Sequence, residues 1–228
     1  LTIPSVLPPE NHQETQSLKI PYQSLGARGV TNLASKLNLS LLPPNTPFFK
    51  LDVSDYDIEE ASAQRSEVLK ALNNVQLVVQ QEVEKRGLRK TASEMWKNLI
   101  ITGNALFHIR EDTIKTYRFD QWVCQRDGAG NLLKWAIKEQ IGWDVLTQEQ
   151  KEIIINNVPK EDIEKYGDSN NNNSVNLDIF TGGRYRDGKW YVQQEILGVA
   201  IWGRTYKKED FPFFFLRWTA LPGESYGR

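Results

Sequence analysis

QWVCQRDGAGNLLKWAIKEQ, residues 121–140, reads as two strands joined by a turn. The flanks 121–126 and 132–140 carry aromatic and branched side chains, and Asp127-Gly128-Ala129-Gly130-Asn131 between them is turn chemistry. Trp122, Val123, Trp135 and Ile137 are the candidate packing residues of this hairpin. Further strands on both sides make it part of a β-meander. Residues 105–110 and 114–119 precede it. A hairpin of 175–184 and 189–197 follows, turning at Arg186-Asp187-Gly188, then strands at 198–206 and 211–218, the last read as buried.

Helices lie mostly ahead of the strands. Thr91, with Glu94 three residues on, has capping-box spacing and opens a helix carrying Ala92, Met95, Trp96, Leu99 and Ile100, which Gly103-Asn104 ends. Before it, 55–86 is a long helical stretch with Val68, Leu72, Val75, Val79, Glu82 and Val83 on one mostly apolar stripe, closed by Gly87. Phe48 to Val53 alternates enough for a short strand. In 21–45, Val30, Leu33, Ala34, Leu37 and Leu41 share a helical face that Pro43-Pro44 terminates. The opposite face (Thr31, Asn32, Ser35, Lys36, Asn38) is small and polar where a solvated helix normally carries Glu and Lys. Such a face fits either the plain back of a core helix or a surface that meets other protein. A helix at 147–157 and a short one from Pro159 to Tyr166 interrupt the strands, and 167–174, with four consecutive asparagines, reads as an exposed loop. The class is α+β: N-terminal helices followed by mainly antiparallel strands. Residues 1–20 read as an extended, Pro-rich arm, with 21–228 as one α+β domain.

Composition excludes several functions. Net charge is −1 and mean hydropathy is −0.52, and no basic stripe stands out in the sequence, so tight gripping of nucleic acid by its phosphates is not expected. No window approaches 18 apolar residues, so no membrane-spanning helix is expected. The single cysteine, Cys124, allows no internal disulfide and fits a reducing compartment. His12 and His108 are the only histidines, far apart and without zinc-site spacing, and His108 fits a structural role in a strand. Gly26-Ala27-Arg28-Gly29 lacks the phosphate-loop pattern, and its glycines are expected to allow close packing at the helix entry. No metal or cofactor is expected.

Two other functions remain as alternatives. Gly223-Glu224-Ser225-Tyr226-Gly227 matches the G-x-S-x-G elbow of serine hydrolases, with Ser225 as nucleophile. The preceding strands read antiparallel, however, and only Arg228 follows in this sequence, where an Asp and a His would be needed. Trp122, Trp135, Trp143, Trp190, Trp202 and Trp218 suggest a carbohydrate-binding module, against core or interface packing.

Several segments, in order along nearly the whole chain, resemble the portal, or head-to-tail connector, protein of short-tailed double-stranded DNA phages of the autographivirus type. They are Pro21-Tyr22-Gln23-Ser24 into Gly26-Ala27-Arg28-Gly29-Val30 and Asn32-Leu33-Ala34-Ser35-Lys36-Leu37, then Leu42-Pro43-Pro44-Asn45 and Gly103-Asn104-Ala105-Leu106. Gln125-Arg126-Asp127, Gly130-Asn131 and Gly223-Glu224-Ser225-Tyr226-Gly227-Arg228 complete them. The resemblance implies a non-enzymatic subunit of a twelve-membered ring at one capsid vertex, a virion component assembled in the host cytoplasm. DNA is packaged and ejected through such a ring without tight binding. It implies a terminase motor, a tail adaptor, and major capsid and scaffolding proteins as partners, and no membrane. The region present corresponds to the first part of the outer wing, with stem, clip and C-terminal parts expected beyond Arg228. Gly26, Arg28, Asn32 and Lys36 are the candidates for packing or subunit contact, because a closing ring needs helices with two usable faces.

Overall fold

The computed structural model describes residues 23–44, 46–52, 62–159 and 176–227, with 62–65 and 176 described by backbone only. The arm at 1–20, the short helix after Pro159 and the asparagine loop lie outside the described residues. Helices α1 (Leu25–Leu41), α2 (Ser62–Lys85) and α3 (Leu88–Thr102) precede strands β1 (Asn104–Ile109), β2 (Ile114–Tyr117), β3 (Trp122–Arg126) and β4 (Leu132–Gly142). Helix α4 (Gln148–Asn157) follows, then β5 (Asn176–Arg186), β6 (Lys189–Ile196), β7 (Val199–Lys207) and β8 (Phe213–Arg217). The class is α+β.

The chain divides into two compact units. One comprises the described residues of Ser17–Thr116 with Phe213–Leu216. Here α1 packs along α3, and a three-stranded sheet has the order β2-β1-β8. Met95 and Leu99 of α3 meet Ala105 of β1, with Trp96, Phe107 and Leu216 packed around them. Phe107 stacks on Phe214 at 4.7 Å. β8 is therefore an edge strand paired with β1 rather than a wholly buried one: Phe213 is buried, but Phe214 is exposed and Trp218, just beyond the strand, more so.

Local chemistry moves three other boundaries and faces. Gly87, at φ +72°, separates α2 from α3, a conformation that costs glycine little. α3 thus begins at Leu88, and Thr91 lies inside it with its hydroxyl donating to the Ile114 carbonyl at 3.0 Å instead of capping. In α2, Val68, Val75 and Val79 of the expected inward stripe are exposed, whereas Gln76 is buried and its Oε1 accepts from the Leu51 N–H at 3.2 Å. That bond takes a backbone donor the expected strand at 48–53 would have used, and residues 46–52 form no strand.

The other unit comprises the described residues of Tyr117–Pro212 and Arg217–Arg228. Its five strands run in sequence order, β3-β4-β5-β6-β7, every pair antiparallel. The meander expected from sequence is thus divided between two sheets, since β1 and β2 belong with β8. Asp187-Gly188 closes the β5–β6 hairpin with positive φ at both residues, the geometry that matches strand twist. Thr147 caps α4 by accepting from the Gln150 N–H, and Ile154 of α4 seals a core of Leu146, Val158, Leu177, Ile179, Ile196 and Ile201 on one face of the sheet. Trp122, Trp135, Ile137, Trp190 and Val192 continue that face. Trp190 stacks on Phe211 at 4.4 Å. Val123, expected in the core, lies opposite Ala136 on the other face and is exposed, because side chains alternate along a strand.

Candidate functional site

α1 presents two different sides. Ala34 is fully buried, and Val30, Leu37 and Asn38 are partly buried. Asn38, expected on the outer polar face, turns inward, and its amide donates to the Arg89 carbonyl at 3.3 Å. Arg89 in turn donates to the Pro43 carbonyl at 2.9 Å, fixing the chain where the two prolines end the helix. Leu33 and Leu41, expected inside, are exposed.

The outer side holds Arg28, Asn32 and Lys36, all exposed; Gly26, also exposed, falls instead on the Val30 and Leu37 side, in the first turn of the helix. Leu25 and Leu39 bracket this side at 75% and 62% exposure, so a polar strip ends in uncovered leucines. A Cβ added at Gly26 or Gly29 would meet nothing within 4 Å. The close packing expected at the helix entry finds no neighbour among the described residues.

The closing segment does a different job from the one its G-x-S-x-G pattern suggests. It lies against β3, the edge strand of the larger sheet. The Cys124 N–H donates to the Tyr226 hydroxyl at 3.0 Å, and the Arg126 N–H donates to Ser225 Oγ at 3.4 Å. Arg126 Nε donates to the Ser225 carbonyl at 3.2 Å, and Arg217 donates to the Glu224 carbonyl at 2.8 Å. The Tyr226 ring meets Phe119 and Trp122 at 5.5 and 5.9 Å. Edge strands expose unpaired backbone donors, and this segment satisfies them. No histidine or carboxylate is among the hydrogen-bond partners of Ser225 in the described residues. Burial pushes the Cys124 thiol and the Tyr226 phenol up from their ordinary values, so both remain protonated at neutral pH. Tyr226→Phe removes one hydrogen bond and is expected to cost about 1 kcal/mol. Tyr226→Ala also removes the ring from a half-buried cluster and is expected to cost about 2–3 kcal/mol. Denaturant midpoints measure both, and unchanged midpoints would refute the clamp.

His108 stacks on Phe213 at 3.9 Å. Burial first, then the charges of Arg110 and Lys115, lower its pKa to about 4. The folded protein thus prefers the neutral ring, whereas an unfolded chain takes up a proton near pH 6.5. Its contribution is complete above pH 6.5 and is lost as pH falls toward 4. His108→Phe should therefore flatten the fall in melting temperature between pH 7 and pH 4.5; an unchanged profile would contradict this.

Of the six tryptophans weighed as a carbohydrate platform, Trp122, Trp135 and Trp190 are buried, and Trp143 packs on the α4 core. Trp202, within β7, and Trp218, just beyond β8, are exposed and form no ring-to-ring platform among the described residues.

Helices lead into antiparallel sheets, the closing segment pairs one sheet edge, and one helix face stays exposed. Comparison with known proteins supplies the family. The family model "Bacteriophage head to tail connecting protein" matches residues 4–228, and the chain belongs to that family. It is 31% identical to the portal protein of Escherichia phage T7 and 32% identical to that of Enterobacteria phage T3, in each case over all of this chain and 43% of the relative. It is 28% identical to the portal protein of Pseudomonas phage phiKMV, over 91% of this chain and 41% of that protein. The chain therefore spans less than half the length of the curated relatives it matches.

Proposed function

We propose that the chain is part of a structural subunit of a phage portal ring, through which double-stranded DNA enters the capsid and later leaves toward the tail. The observation that carries this reading is the family match over residues 4–228. The role is geometric. Copies join head to tail, each offering one helix face to the next, until the ring closes. Twelve copies, docking of a terminase motor and tail adaptor on the ring, contacts with major capsid and scaffolding proteins, and a place at the portal vertex of the virion belong to this proposal. So does assembly in the host cytoplasm.

The subunit performs no catalysis in this reading, and Ser225 serves the edge clamp. Arg28, Asn32 and Lys36, with Gly26 in the first turn, form a surface that meets other protein. Uncovered Leu25 and Leu39 at its ends are the apolar groups that such a contact would cover. Near-neutral net charge suits a conduit in which DNA must slide. Particle mass tests the reading: rings support it, and a protein that stays monomeric under assembly conditions overturns it.

A further inference from the structure

The outer face of the five-stranded sheet gathers cations that are far apart in sequence. Strand register places Lys134 beside Arg184, and Arg184 beside Tyr191. It also places Arg186 beside Lys189, and Lys189 beside Lys207. These two rows are neighbours on one face. With strands about 4.8 Å apart and same-face residues about 6.7 Å apart, the backbone positions of all five cations fall within about 16 Å. All five are exposed. Arg186 pairs loosely with exposed Asp187 at 3.6 Å, and the other four make no ion pair among the described residues. In a chain of net charge −1, this is a concentrated basic patch.

An open trough of about 750 Å³ adjoins the patch. Ala136 opposite Gly182 keeps its floor low beside the cations, and half-buried Phe180 lines it further along β5. Glu195, on the far side, is held by the Gln193 amide at 3.0 Å.

We propose that this face docks the phosphodiester backbone of double-stranded DNA without reading its sequence. The inference rests on the portal reading for the presence of DNA and names a surface that touches it. Charge complementarity selects a polyanion. A protein partner would want an apolar pocket for a buried anchor, whereas Phe180 and the edge of Trp135 are the apolar lining of a trough whose rim carries Lys134, Arg184 and Arg186. Single-stranded nucleic acid would want successive stacking platforms, whereas Tyr191 is the only exposed aromatic on these two rows. Lysine, arginine and tyrosine contacts to phosphate position a duplex and leave its bases unread.

Fluorescence anisotropy of a labelled 20-base-pair duplex, titrated with the full-length protein at 50–200 mM salt, tests this. Neutralising three to five phosphates predicts affinity falling about 40- to 500-fold across that range. Arg184→Glu with Lys189→Glu should lose at least about 30-fold at low salt, and Lys134→Ala with Lys207→Ala about 10-fold. Lys70→Glu with Lys90→Glu, a charge-matched change on α2 and α3, should lose less than about 3-fold. Unlabelled duplexes of unrelated sequence should compete equally well. The proposal is overturned if sheet and control variants weaken binding alike or if the duplex does not bind at 50 mM salt. Better displacement by a single strand or by polyglutamate also overturns it. Native mass of each variant separates this outcome from the portal reading: rings that persist while DNA affinity is unaffected by the sheet changes refute this inference alone.

Discussion

Gly183→Ala is expected to lower the melting temperature of the larger sheet unit by about 10 °C, while Gly182→Ala, one residue away, leaves it nearly unchanged. The two glycines point to opposite faces of β5. A Cβ at Gly183 would fall inside the indole of Trp135, which lies across this position from the neighbouring strand. Trp135 is buried and packs toward Phe211 at 6.1 Å, so the ring can yield only by leaving its own packing. Overpacking of this kind costs about 1–3 kcal/mol, occasionally more. Removing a glycine from a strand returns only about 0.5–1 kcal/mol. The steric term wins, and about 2 kcal/mol in a unit of this size corresponds to the shift stated. At Gly182 the nearest atom to an added Cβ is the Trp135 carbonyl oxygen at 3.7 Å, an ordinary contact. Thermal unfolding of both variants checks the comparison, and equal melting temperatures would show that Trp135 does not lie over Gly183 in solution.

Arg28→Glu, Asn32→Glu and Lys36→Glu together are expected to abolish ring formation without unfolding the subunit. All three side chains are exposed on α1, away from buried Ala34 and from the Asn38–Arg89 bond that holds the helix to its neighbour. Exposed substitutions typically change stability by less than about 0.5 kcal/mol each. A carboxylate series in a protein contact instead places like charge and desolvation cost on every interface of the ring, and several kcal/mol per interface is enough to prevent closure. Circular dichroism and melting temperature should match the unsubstituted protein while the ring peak disappears from native mass spectra. Rings of normal mass would mean that this side of α1 is merely solvated.

Much of the architecture was legible in the sequence because it is local. The turn at Asp127–Asn131, the Asp187-Gly188 hairpin and the alternation along 132–140 each act within a few residues, and all appear where those signals place them. The division into two sheets was not legible. β8 returns to β1 across about a hundred residues, and no nearby pattern marks that pairing. Helical periodicity gave α2 a mostly apolar stripe but not the side that faces inward. Leu72 and buried Gln76 share the inner side, while three valines of the expected stripe are uncovered. The basic sheet face was invisible for the same reason: Lys134, Arg184, Arg186, Lys189 and Lys207 form no run in the sequence, and only strand register brings them together. On the candidate site, the odd polar face of α1 was readable, but the inward turn of Asn38 was not, because it depends on an Arg89 carbonyl 51 residues away. Ser225 carried a misleading local pattern, and its actual partners sit 99 residues earlier in β3.

Native mass spectrometry of the full-length protein under assembly conditions decides whether the subunits close into a ring. A closed ring of twelve subunit masses, removed by the α1 carboxylate series, is expected. A protein that remains a stable monomer across those conditions would contradict it.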